Sequence, residues 1–305
     1  MNNVLFTKII FSRNLKDYKF IPKLTNENKE EIIKKIQEVF DGEMKTLTLN
    51  KLSQTDVKFL KDNRLLCDKS TFVLVDKKKN TALNLFAGEH ISIVSTMYGF
   101  DITSYKHAKE KLDILTSKVS LAFSDEYGYL MSDITKIGAG LEIISYVYLD
   151  GIKAINKIDQ VKLNMKKLGY NLSNTENNKI YTISTKCNLG KSEQEIFEDF
   201  EKVLLNLSNL EKESSKVLDI SNHEEIVDKS YRTRAILESA YMMKYDELNE
   251  LLSNIRIGKN LDIIDIKNKD LIELEKLVFN KGAEFIGKSE LIELAERVKK
   301  IMKGE

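Results

Sequence analysis

Cysteine, proline and tryptophan are nearly missing from this chain: two cysteines, one proline and no tryptophan occur in 305 residues. Cys67 and Cys187 lie far apart, with no second Cys or His at ligand spacing, which argues against a disulfide framework and against a zinc site. Both are expected to be reduced core thiols. With Pro22 alone and 13 scattered glycines, no flexible linker announces a domain boundary. An excess of one charge is also absent, since 48 Lys+Arg face 47 Asp+Glu for a formal net charge of +1. That balance argues against nucleic acid or an anionic membrane as the main partner. The apolar start MNNVLFTKIIFSRN is broken early by Lys8 and is followed by no small-residue cleavage site. No stretch approaches the roughly 20 apolar residues of a membrane span. A cytoplasmic protein is expected.

What is present is enough chain for a substantial core, in one large domain or two ordinary ones. Ile32, Ile33, Ile36, Val39 and Phe40 recur at helical spacing behind Thr25, which has the chemistry of an N-cap. A second helix is expected over about Ser53 to Asn63. TFVLVD, the turn KKKN and TALNLFAGEHISIVSTMYG read as strands joined by a hairpin. A period near 3.6 predicts a helix from Ile102 to Phe123. GYLMSDITKIGAGLEIISYVYL suggests a strand pair, Ile152 to Leu168 a helix, and YNLSNTENNKIYTISTKC a polar loop entering a strand. From Ser192, a plausible cap, the pattern is helical to the end, in amphipathic segments separated by short breaks. Strands followed by helices predict an α+β domain over 1–222 and an all-helical one over 223–305.

Several segments, in order, resemble guanidino kinases and specifically their protein-arginine-kinase branch. LGKSEQEIFEDF resembles that branch's LGKSEQ helix start, VLFTKIIFSRN its VLSSRIRLARN strand, and FAGEHISI its NEEDHIRI segment. AFSDEYGYL with IGAGLEI resembles AFNE-x-x-GYL with GTGLRAS, and YRTRAILESAYMM with LLSNIRIGKNL resembles the family's helical C-terminal domain. The similarity spans nearly the whole chain. It implies an antiparallel sheet flanked by helices, a terminal helical bundle, and ATP-dependent phosphoryl transfer to a guanidinium nitrogen. Such transfer rests on positioning and on fixed cations that neutralise phosphate oxygens, with carboxylates to orient the guanidinium and act as base.

Carried over by resemblance, the two arginines of R-I-R fall on Lys8 and Ile10, the arginine after EDH on Ser92, and that of GTGLR on Glu142. The family's nucleotide-contacting histidine falls on Arg64, and the first arginine of its RG-x-YGE loop near Lys167. The paired carboxylates of NEEDH fall on Ala87 and Gly88, and the loop glutamate near Leu172. Glu89 and Glu176 are the available substitutes. The family cysteine falls on Asp133, and the R-D-x-x-R-A receptor motif falls around Leu291, Ile292 and Glu293, where it is absent. No catalytic residue, metal site or cofactor is therefore expected, with ATP–Mg reserved for the case in which nucleotide binding survives.

The leading reading is a pseudokinase that acts as a binding or regulatory protein in bacterial protein quality control. By resemblance its partners are an active protein arginine kinase, that kinase's activator, or the Clp stress-protease machinery; a dimer is left open. The alternative is an active phosphotransferase rebuilt from Lys8, Arg64, Glu89, Lys167 and Glu176. His90 matches the family histidine, although a lone histidine beside a strand is more often structural. The run Lys77, Lys78 and Lys79 reads as a solvated turn.

Overall fold

The computed structural model describes residues 1, 3–48, 52–175, 179–186, 189–280 and 287–304. In chain order these form β1 (Val4–Arg13), α1 (Asn26–Val39), β2 (Lys45–Thr48), α2 (Gln54–Asp62), β3 (Phe72–Asp76), β4 (Thr81–Leu85), β5 (Ile91–Tyr98) and α3 (Thr103–Lys118). There follow β6 (Phe123–Ser124), β7 (Gly128–Tyr129), β8 (Leu141–Tyr148), α4 (Asp150–Ala154), α5 (Ile158–Lys167), β9 (Tyr170–Asn174) and β10 (Ile180–Thr185). The chain ends in α6 (Glu193–Ser239), α7 (Tyr245–Asn260), α8 (Asn268–Phe279) and α9 (Lys288–Lys303).

Eight strands make one sheet in the order β2-β3-β4-β5-β1-β8-β10-β9. Every pairing in it is antiparallel. Because side chains alternate across a strand, the sheet presents two different faces. Ile9 and Phe11 of β1, Ile93 of β5, Ile143 of β8 and Ile183 of β10 enter the main core beneath α1, α3, α5 and the first half of α6. On the other face Ile10, Val73, Val75 and Val94 pack with Leu60 of α2 and Leu65. A third cluster, around Leu237, Leu252, Leu274 and Val298, holds the terminal helices together.

Helix starts follow their caps. Thr25 accepts from the Asn28 amide, and Ser53 accepts from Asp56. Ser192 and Glu195 form a reciprocal capping box at the start of α6. The turn lysines serve as struts: Lys77 pairs with Asp56 at 2.7 Å and Lys79 with Glu110 at 2.6 Å.

Three expectations are corrected. The helix begun near Ile102 ends at Lys118, since Val119 is extended and packs into the core as an edge of the chain's return. The helix foreseen from Ile152 to Leu168 is two, α4 and α5, broken at Asn156, which adopts a left-handed φ of 56°. The polar loop YNLSN is strand β9, with Leu172 pointing into the core. The break foreseen between the first two terminal helices falls at Asn222, whose non-helical backbone kinks α6 into two helices.

Arg13, fully buried at the end of β1, joins these layers. Its Nη1 donates to the carbonyls of Ser12 at 2.7 Å and Ala139 at 3.0 Å, and its Nη2 to the carboxylate of Glu193 in the first turn of α6. The guanidinium lies 3.6 Å from the centre of the Tyr129 ring. Gly140 is needed beside it, because a Cβ there would come within 2.7 Å of Arg13 Nη1 and 2.8 Å of the Ser12 carbonyl. Removing one partner of a buried pair leaves uncompensated polar groups at a cost of about 3–5 kcal/mol. Arg13→Met is therefore expected to lower unfolding free energy by about that amount in urea titrations, and a loss below about 1 kcal/mol would show that the pair contributes little.

Candidate functional site

Strand register brings four of the family-matched positions together on the face away from the main core. In β1 Ile10 stands opposite Val94 of β5 on one side and Glu142 of β8 on the other. Lys8, two residues along, stands between Thr96 and Ile144, and Ser92 stands opposite Ser12. Lys8, Ile10, Ser92 and Glu142 are thus neighbours on one surface, as period-two alternation requires.

Each is engaged within the chain. Ile10 is buried in the apolar patch with Leu60, Leu65 and Val94. Lys8 Nζ donates to the Leu66 carbonyl at 3.0 Å. Ser92 is buried. Glu142 meets Lys136 Nζ at 3.2 Å. Partial burial works against the Lys136 charge, but the Glu142 carboxylate outweighs it and holds that ammonium above its usual range. Cys67 lies in this same neighbourhood, electrostatically coupled to Lys8, Glu142 and Lys136; burial pushes its thiol up, so it stays protonated.

Beside Glu142 opens a cleft of about 400 Å³ lined by Ser12, Thr135, Lys136, Asn171, Ser184 and Lys186 among others. Of these lining residues none was singled out from the sequence. Their signal was the alternation of β9 and β10, in which Asn171 and Ser184 fall on the face opposite Leu172 and Ile183. The cleft is a mixed surface of hydroxyls, an amide, two lysines and a carboxylate.

Arg64 is held elsewhere. It occupies the left-handed region at φ 48°, a conformation that costs a non-glycine residue on the order of 1 kcal/mol and persists where contacts secure it. Its Nη2 donates to the Phe279 carbonyl at 3.0 Å, and its guanidinium lies 3.8 Å from the Phe279 ring. Phe279, at the end of α8, also packs on Phe6 and Tyr146, while Asn280 donates to the Tyr98 hydroxyl at 2.8 Å. The terminal helices thereby reach onto the same sheet face that carries Lys8.

The remaining positions do not join the group. Lys167 is exposed in the last turn of α5, a helix packed on the opposite face through Val161 and Met165. Leu172 is a core residue there too. On β9 the positions turned to the cleft side are Asn171 and Ser173. Gly88 sits in a turn at φ +97°, where an L side chain is strained. Glu89 is buried and fully committed, accepting from the amides of Ser132 at 2.8 Å and Asp133 at 3.2 Å and from the Asn14 side chain. His90 is structural: Nδ1 accepts from the Leu15 amide and Nε2 donates to the Lys19 carbonyl, each at 3.0 Å. Burial keeps its ring below the usual histidine range and hence neutral. Asp133 caps the turn at Thr135. Glu176 lies outside the described residues, as does Cys187. Among the described residues there is no cluster of three or more His, Cys, Asp or Glu able to hold a metal ion, and no helix is long and apolar enough to cross a membrane.

Comparison with known proteins agrees with this architecture. Residues 23–214 match the model of the ATP:guanido phosphotransferase C-terminal catalytic domain, and 223–301 match that of the protein-arginine kinase McsB C-terminal domain. The chain belongs to the ATP:guanido phosphotransferase family. Within it the chain sides with the protein-arginine kinases: it is 25% identical to one from Clostridium tetani over 97% of this chain and 92% of that protein. It is 28% identical to another from Clostridium botulinum over 92% and 87%. Among solved structures, a duplicated taurocyamine kinase from Schistosoma mansoni superposes with a TM-score of 0.61 at 21% identity, over 69% of this chain and 33% of that one. A lombricine kinase gives 0.61 at 16% identity, over 68% and 66%.

If Arg64 and Phe279 act as one contact, a double-mutant cycle of Arg64→Ala and Phe279→Ala should give a coupling of about 0.5–2 kcal/mol in denaturation. Additive effects would mean that the terminal helices dock without it.

Proposed function

We propose that this member of the protein-arginine-kinase branch binds partners and does not transfer phosphate. The observation that carries the reading is the Ile10–Glu142 pair. By resemblance these two directly opposed positions are arginines in the family; here one is apolar and the other is an acid. At about 4 Å and an effective dielectric of about 20, a carboxylate repels a phosphate charge by roughly 4 kcal/mol where an arginine attracts it by as much. Lys136 offsets part of that repulsion. Losing one fixed donor to the transition state typically costs about 10² to 10³ in rate, and such losses are not simply additive.

The residues present do not fit ATP–Mg as family chemistry would hold it. The cations Lys8 and Arg64 are bonded within the chain, Ser92 carries no charge, and Glu89 is used up holding the 132–133 backbone. The rival reading, a rebuilt active kinase, must release Lys8, Arg64 and Glu89 from these bonds. In our reading residues 1–222 form the kinase-like unit and 223–305 the helical one. The partner is a protein: an active arginine kinase, its activator or the Clp machinery, chosen by family resemblance, with cytoplasmic residence.

The test is calorimetric titration with ATP–Mg beside a phosphotransfer assay on an arginine-rich protein. Neither heat of binding nor transfer above background is expected. Gly88→Glu should not create activity, since φ +97° strains the backbone of the restored carboxylate. Transfer that Glu89→Gln abolishes would overturn the reading and establish a rebuilt site. Binding without transfer would make the chain a nucleotide sensor.

A further inference from the structure

Where the sheet meets the terminal helices, three buried carboxylates gather around one guanidinium, two of them bonded to it. Arg256 of α7, almost wholly buried, donates through Nε to Asp150 of α4 at 2.6 Å and through Nη1 to Glu275 of α8 at 3.4 Å. Its guanidinium lies flat over Tyr148 of β8, 3.5 Å from the ring centre. Ser253 donates to the second oxygen of Asp150 at 2.5 Å. Glu211 of α6 closes the group by capping α4, accepting from the Gly151 amide at 2.6 Å and the Ile152 amide at 3.0 Å. Lys259 faces Glu275 from the rim, its ammonium donating to the Ile266 carbonyl, and Tyr181 of β10 faces Asp150 and Glu211. Asp150, Glu211, Glu275 and Arg256 are each at most 6% exposed.

Three buried carboxylates against one buried cation cannot all be ionised cheaply, because like charges in low dielectric repel and water is excluded. We propose that this junction is a proton-held clamp: the docked state keeps a carboxyl proton that the opened state releases, so the terminal helices loosen as the solution becomes more alkaline. Burial raises Glu211 and Glu275 to about 7 each, against 4.5 when free. The docked state therefore binds more protons between these limits, and linkage makes docking strongest on the acid side and weaker as pH rises through about 7.

The experiment is hydrogen exchange of α7 and α8 amides in the full chain between pH 6 and 8, corrected for intrinsic exchange rates. One proton with these two limits predicts that protection falls about tenfold over that range. Glu275→Gln and Glu211→Gln replace a carboxylate by a neutral isostere, and at least one should flatten the profile and raise protection at pH 8. Infrared spectroscopy supplies an independent readout needing no variant: a protonated-carboxyl carbonyl band should be present in the unaltered protein at pH 6 and lost by pH 8. Protection that does not change with pH, the same slope in both variants, or no such band at pH 6 would each overturn the proposal.

Discussion

Everything in the sheet domain is tied to a charge that has no access to water, the guanidinium of Arg13. A buried arginine costs least when its charge is balanced and most of its donors are satisfied. Here the balance comes from Glu193, 180 residues away in sequence, and Nη1 is spent on the Ser12 and Ala139 carbonyls, while Nε is left without a partner. The consequence runs outward. The first turn of α6 is held against the end of β1, Gly140 has to lack a side chain, and Tyr129 is held flat against the guanidinium. Asn14, the next residue, continues the same web through Glu89 and the Leu130 carbonyl, and His90 continues it to Leu15 and Lys19.

This web explains why the family was legible while the chemistry was not. Among the segments that carry the resemblance, SRN, GEH, GYL, GAGL and LGKSEQ meet around Arg13 and Asn14 through the Glu89, Tyr129 and Glu193 side chains and the Leu130 and Ala139 carbonyls. A chain that keeps the fold must keep them, whatever happens on the open face. Ile10, Ser92 and Glu142 belong to the same strands but point the other way, outside the web around Arg13, where Ile10 packs in the second apolar patch and Glu142 meets Lys136. Strand period alone put Ile10 and Glu142 side by side once the register was known. Register, though, is set by long-range pairing that a single sequence does not display.

The carried-over positions that lie apart from the cleft, and the redrawn elements, have physical reasons. Lys167 and Leu172 were assigned by matching a loop, and in this chain the matched stretch is the end of α5 and a strand whose alternation turns Leu172 to the core. YNLSN looked like a loop because its residues are mostly polar, yet as an edge strand it needs only one buried apolar side chain, which Leu172 supplies. The 102–123 helix was overextended because Val119 and Ala122 keep a helical spacing while serving as buried residues of extended chain.

Arg13 and Arg256 also show how one residue type, equally buried, gives two different kinds of joint. Arg13 faces the single carboxylate of Glu193 and several carbonyls, and Lys109 reaches the other oxygen of Glu193 at 3.3 Å. Arg256 faces Asp150 and Glu275 directly, with Glu211 close behind on the α4 amides. The surplus of negative charge has to be relieved by protonation or by water entering the junction, and only the second opens the structure. The first joint ties β1 to the start of α6, and the second ties α4 to α7 and α8. The joint at Arg13 is thus the one whose charges close locally, and the joint at Arg256 is the one proposed to borrow a proton from solvent.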